Sequence, residues 1–90
     1  MPTWDENKRR LNIKSHGIDF EGCEKIFDLP VVVFEDSRQS YGEQRLCAIG
    51  WLHDQVVCLI YTEREEDFRV ISLREAEKHE IKRYIKEVSR

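Results

Sequence analysis

Proline and glycine are scarce in this 90-residue chain, two of one and four of the other, which leaves no room for a flexible linker or a low-complexity tract. Long apolar runs are missing too: no window approaches the roughly 18 consecutive apolar residues of a membrane helix, and the opening MPTWDENKRR has no apolar stretch behind its charges. Membrane insertion and secretion are therefore disfavoured, and a cytoplasmic protein is expected. The three histidines, His16, His53 and His79, show no ligand spacing with one another or with cysteine, so neither a structural zinc site nor any other metal or cofactor is expected. Cysteine is also too sparse for a disulfide framework: Cys23, Cys47 and Cys58 are odd in number, far apart and set in apolar patterns, which predicts buried reduced thiols.

Positive charge is in deficit overall, with a net charge of −3, but its distribution is uneven: residues 1–14 carry +2, residues 15–73 carry −7 and residues 74–90 carry +2. This argues against a purely charge-driven nucleic-acid binder and makes any basic surface a local one. Within the stretch IYTEREEDFRVISLREAEKHE, Arg64, Arg69 and Arg74 stand out as cations placed where a backbone anion could be held.

The length suits a single domain over residues 1–90 with one modest core. Residues 4–14 read as a surface helix with charge pairs four apart, Asp5 with Arg9 and Glu6 with Arg10, closed at His16-Gly17. Asp19 reads as the cap of a second helix that buries Phe20, Cys23, Ile26 and Phe27 and stops before Pro30. From Val31 the period changes to strands, VVVFED, EQRLCAIGWL, QVVCLIYTE and FRVISL, joined by the short connections SRQSYG, HD and REED. Ser72 followed by Glu75 has the spacing of a capping box for a last helix with an apolar stripe of Ile81, Tyr84, Ile85 and Val88. The expected architecture is α+β: two N-terminal helices, a four-stranded antiparallel meander and a C-terminal helix.

A two-residue loop at His53-Asp54 sets Leu52 opposite Gln55, Arg45 opposite Thr62 and Glu43 opposite Arg64, while the REED loop sets Thr62 opposite Arg69. Residues two apart share a face, so Glu43, Arg45, Thr62, Arg64 and Arg69 are predicted to gather at one end of the sheet, continuous with apolar Cys47, Ile49, Cys58, Ile60 and Ile71. Arg74, placed in the first turn of the last helix, would either pair with a neighbouring acid or help hold a phosphate. His16 supplies an imidazole, the side chain suited to proton transfer, and Lys8 lies one turn from Trp4 and Leu11. Each has a plain alternative: an exposed Glu43–Arg64 ion pair, a solvated Lys8, a helix-end His16, and a Tyr84 that closes the core.

Taken in order, W-D-x-x-K from Trp4, N-x-x-x-H-G-I-x-F from Asn12, E-x-R-x-x-x-I-G from Glu43, Y-T-x-R from Tyr61, R-V-I-S-x-R from Arg69 and E-x-x-x-Y from Glu80 resemble the BrnT family of bacterial toxins. That resemblance implies a RelE-like fold and a ribonuclease toxin of a toxin–antitoxin system. It also implies a cognate BrnA-like ribbon-helix-helix antitoxin that touches operator DNA on the toxin's behalf, in a heterotetramer. For cleavage without a metal, a base must take the proton of the 2′-hydroxyl, cations must offset the charge gained by the phosphate, and an acid must protonate the leaving 5′-oxygen. Glu43 or His16 would be the base, and Arg64 and Arg74 the phosphate grip. Arg45, Arg69 and Lys8 would assist, and Tyr84 would stack on a base. The rival reading is a non-catalytic interaction module whose arginine-rich sheet end docks an acidic partner.

Overall fold

The computed structural model describes residues 1–36 and 42–89, and the SRQSYG connection expected at 37–42 lies outside them except for Gly42. Its first helix, α1, runs Glu6–His16, and the Asp5 carboxylate caps it by accepting from the backbone N–H groups of Asn7 and Lys8. Gly17, at φ 72°, closes it as expected. The anticipated Asp5–Arg9 pair gives way to the cap: Arg9 pairs instead with Glu6 and, through two hydrogen bonds of 2.8 and 3.0 Å, with Asp19. That guanidinium holds the Asp19 carboxyl below its ordinary range.

The second helix is not an α-helix. Asp19 accepts from the Glu21 N–H at 3.0 Å, and Gly22 takes φ 83°, a left-handed value that a helix interior cannot contain. The chain then makes a single 3-10 segment, Cys23–Asp28, which still buries Phe20, Cys23 and Ile26 but leaves Phe27 partly in solvent.

The sheet is the expected antiparallel meander, in spatial order β1 (Val32–Glu35), β2 (Leu46–Leu52), β3 (Gln55–Arg64) and β4 (Asp67–Glu75). The His53-Asp54 loop sets the predicted register, Leu52 facing Gln55 and Leu46 facing Tyr61, with His53 at φ 57° as a tight hairpin turn requires. Between β3 and β4 the turn is shorter than expected, since Arg64 already pairs with Asp67, but the predicted Glu63–Phe68 and Thr62–Arg69 pairs stand.

The last helix begins later than the Ser72–Glu75 spacing suggests. Ser72 is paired with Ile60, because β3 is long enough to draw β4 out to a Glu75–Val57 pair. Helix α2 then spans Lys78–Val88, with the capping box formed by Glu77 and Glu80. Arg74 is consequently a strand residue, not part of a helical first turn. Of the predicted apolar stripe, Tyr84 is buried and Ile81 partly so, whereas Ile85 and Val88 are exposed.

Helices on opposite faces give the small chain two cores where one was expected. Against α1 and the 3-10 segment lie Phe20, Ile26, Leu59, Val70 and Leu73; against α2 lie Ile49, Ile60, Ala76 and Tyr84. Cys47 and Cys58 also break with expectation. They are diagonal neighbours on β2 and β3, their Cα atoms 6.2 Å apart on one face, and they form a disulfide. Only Cys23 remains a free buried thiol, pushed up to about 12 by its burial.

The outer edge of β4 is closed by the start of the chain. Thr3 bridges to it in parallel, donating to the Phe68 carbonyl at 3.0 Å and accepting from the Val70 N–H at 2.8 Å. Further along, the buried Asn12 side chain donates to the Leu73 carbonyl at 2.7 Å and accepts from the Leu73 N–H at 3.1 Å. An amide thus stands in for a fifth strand.

At Gly50 on β2, an added Cβ would sit 2.9 Å from Val31 Cγ1 and 3.1 Å from Ile26 Cγ1. Gly50→Ala is expected to cost about 1–3 kcal/mol by overpacking, read as a lower denaturant midpoint at unchanged slope. No helix among the described residues is long and apolar enough to cross a membrane.

Candidate functional site

Helix α2 packs chiefly on β1 and β2; on the β3–β4 half of that face Cys58, Ile60 and Thr62 are still buried, and the half opens to solvent only at its far end, at Arg64 and in part at Arg69. On this half the alternation of the strands aligns Thr62 and Arg64 of β3 with Arg69, Ile71 and Arg74 of β4. The predicted gathering of Arg64, Arg69 and Thr62 is therefore present. Glu43 joins it from the turn before β2, its carboxylate 3.1 Å from Arg64, and both side chains are nearly half exposed, at 46% and 45%. Arg45 immediately precedes β2 and is half-buried, its carbonyl accepting from the Asp36 N–H at 2.8 Å. Thr62 is buried in the middle of the group, and its hydroxyl has no hydrogen-bond partner among the described residues. An orphaned hydroxyl beside cations is unusual, because most buried polar atoms are satisfied.

Arg74 is brought to the same face but not to the same place. It stands opposite Cys58 while Arg64 stands opposite Asp67, so six residues of β3 separate them, or about 20 Å along the strand. That is too far for the two guanidiniums to share one phosphate, which the sequence pattern had suggested. Arg74 is instead committed to Glu80, with a fork of 2.7 and 2.9 Å between side chains that are 18% and 9% exposed. Its charge keeps the Glu80 carboxyl below the usual carboxylate range despite burial. Glu80 is thus the partner that sequence reasoning missed. The signal was the wrong helix start: once Arg74 is a strand end, the acid two residues into α2 lies beside it.

His16 and Lys8 meet at a shallow depression of about 250 Å³ beyond the β4 edge, together with Leu11, Asn12, Ser15 and Ile71. They flank that face without joining the Glu43–Arg64 group. Tyr84 does not face solvent: it is buried and donates its hydroxyl to the Pro30 carbonyl at 2.8 Å, so its ring belongs to the core under α2.

A larger cavity, about 490 Å³, opens between α2 and the sheet above the disulfide. Arg74, His79 and Arg83 contribute its basic groups and Glu35, Asp36, Glu77 and Glu80 its acids, so it is not a cationic site. Arg83 caps it by lying 4.2 Å over the Phe34 ring. Cys47, Cys58 and Glu80 bring potential ligand atoms within 4.8 Å of one another. Bonded sulfurs have no thiolate to offer, however, and Glu80 holds both oxygens on Arg74, so as arranged these residues make a covalent and ionic brace.

Comparison with the curated proteins finds no match. Residues 4–80 do match the family described as the ribonuclease toxin, BrnT, of type II toxin–antitoxin systems, and this chain belongs to that family.

Proposed function

We propose that RNA lies against the open end of the β3–β4 half-face and is cut there without a metal, within a RelE-like toxin fold. The observation that carries this reading is the pair Arg64 and Arg69 at the solvent-facing end of the β3–β4 half, with the Glu43 carboxylate beside Arg64, in a member of a ribonuclease toxin family. Arg64 grips the scissile phosphate with its planar fork, and Arg69 and Arg45 add charge beside it. Glu43 is the base, because its carboxylate already lies at Arg64, whereas His16 and Lys8 sit across the β4 edge and meet a flanking part of the strand. The 2′-hydroxyl gives its proton to Glu43 and attacks the adjacent phosphorus. As the bond from phosphorus to the 5′-oxygen breaks, that oxygen takes a proton from solvent water and a 2′,3′-cyclic phosphate remains, while the proton on Glu43 passes back to water. Arg74, locked to Glu80, supports the fold and the local field and does not hold the phosphate.

Family membership implies an antitoxin partner. In this reading it is a ribbon-helix-helix protein that neutralises the toxin in the cytoplasm by covering the same half-face, in a heterotetramer built on its own dimer. The test is incubation of purified protein with free RNA, with and without EDTA and antitoxin. Cleavage should persist in EDTA and stop with antitoxin. Arg64→Ala should cut about 10- to 100-fold more slowly, the effect of one charged hydrogen-bonding group, with a nearly unchanged melt. Equal rates for both proteins would overturn the assignment, as would activity lost to chelation and restored by a divalent ion. RNA left intact while antitoxin binding persists would favour the interaction-module reading.

A further inference from the structure

The β3–β4 hairpin carries a second surface on the face opposite the arginines. Tyr61 and Glu63 point away from Thr62 and Arg64, and Phe68 stands across from Glu63. Phe27 reaches them from the 3-10 segment, and the three rings Phe27, Tyr61 and Phe68 meet edge to face with centroids 5.3 to 5.9 Å apart. They border a cavity of about 420 Å³ whose remaining lining is wholly acidic: Glu63, Glu65, Glu66 and Asp67.

Two further observations point to a ligand. Tyr61 is only 6% exposed as a residue and lines this cavity, and its hydroxyl, which makes no hydrogen bond among the described residues, is the part that reaches solvent. Phe27, by contrast, keeps 40% of its surface in solvent, at the cavity rim. The rim already attracts cations, since the Met1 ammonium pairs with Asp67. Glu63, Glu65 and Glu66 are exposed and carry no side-chain ion pair among the described residues. Rings with electron-rich faces beside unpaired carboxylates favour a cation that is flat and weakly hydrated, and they repel phosphate.

We propose that this aromatic and acidic pocket takes an arginine side chain presented by a basic segment of a partner protein. The guanidinium lies against Phe27 and Phe68, its fork meets Glu63 and Glu66, and one N–H is accepted by the Tyr61 hydroxyl. Lysine fits less well, because an ammonium is more strongly hydrated and cannot stack. The pocket lies across the sheet from the proposed RNA face, so its occupant does not compete with RNA, and the inference stands apart from the catalytic reading.

The probe is an acetylated hexa-arginine peptide, compared with its hexa-citrulline counterpart and with hexa-lysine, titrated into the full chain at about 0.15 M salt. Arginine should bind more tightly than lysine, and citrulline should not bind. Phe27→Ala and the pair Glu63→Gln with Glu66→Gln should each weaken arginine binding about tenfold, while Glu21→Gln, an exposed acid outside the pocket, should not. If Phe27→Ala fails to fold, the glutamine pair still decides. Equal weakening by Glu21→Gln would mean diffuse attraction to an acidic chain and would overturn the pocket. Equal binding of citrulline or lysine would overturn the arginine, and displacement of the peptide by an RNA oligonucleotide would overturn the repulsion argument.

Discussion

Arg74→Ala should melt well below the wild-type protein, by about 12 °C or more. The substitution leaves the Glu80 carboxylate, 9% exposed, without the fork that compensates its burial. Removing one partner of a buried pair costs about 3–5 kcal/mol, and in a domain of this size each kcal/mol moves the midpoint by about 4–8 °C. Glu80→Leu added to Arg74→Ala should recover most of the loss, because the uncompensated charge is then gone as well. A single mutant that melts within about two degrees of wild type would show that water reaches Glu80 and that the pair is decorative. The pair also sets a pH dependence. Arg74 holds the folded Glu80 pKa below its ordinary 4.5, so the stabilisation is complete above about pH 4.5 and drains away as the pH falls through the folded value. Glu80→Gln should accordingly flatten the acid limb of a plot of stability against pH.

Asn12→Ala should be nearly as damaging. One amide satisfies the Leu73 N–H, the Leu73 carbonyl and, at 2.9 Å, the Ile18 carbonyl, all in a place where Asn12 itself is buried. Leaving such groups unpaired costs about 1–3 kcal/mol each before relaxation, so a total of about 3 kcal/mol is expected. Hydrogen exchange provides the specific reading: the Leu73 amide should lose protection in Asn12→Ala while amides of the β2–β3 hairpin keep theirs. Unchanged protection at Leu73 would mean that the strand edge does not depend on this side chain.

Local patterns with a single physical solution were legible in the chain. A two-residue His53-Asp54 loop admits one β2–β3 register, which put Thr62 and Arg64 on one face with Ile60 and Cys58, and the Thr62–Arg69 pair across the next turn added Arg69 to it. Gly17 marks the end of α1 as read, whereas Asp5, read as an ion-pair partner of Arg9, caps its start instead. Competition between equally good local signals was not legible. Ser72 and Glu75 have cap spacing, but an unpaired stretch of β3 offers Ser72 a ladder partner, and backbone hydrogen bonds won; Arg74 thereby belongs to a strand and not to a helix mouth. Asp19 likewise could cap a helix or hold Arg9, and with Gly22 three residues on, it holds Arg9. Cys47 and Cys58 looked separate because linear distance hides a diagonal across a hairpin. For the candidate site, the Glu43–Arg64 end could be read from pairing alone. The Arg74–Glu80 brace and the aromatic cluster at Phe27 needed the packing of elements distant in sequence.

The closure of the β4 edge also bears on the order in which the chain can fold. Asn12 and Leu73 are 61 positions apart, and Thr3 reaches further still, to Phe68 and Val70. On a ribosome the first helix therefore emerges with nothing to dock on. Leu73 in its receptor strand follows 61 positions later, and at about 5–20 residues per second several seconds of synthesis separate the two. The β2–β3 hairpin can form on the way, and β4 with Arg69 is added to it only afterwards. When β4 does arrive, Thr3 and Asn12 are already made, so its outer edge can be covered as soon as the strand pairs.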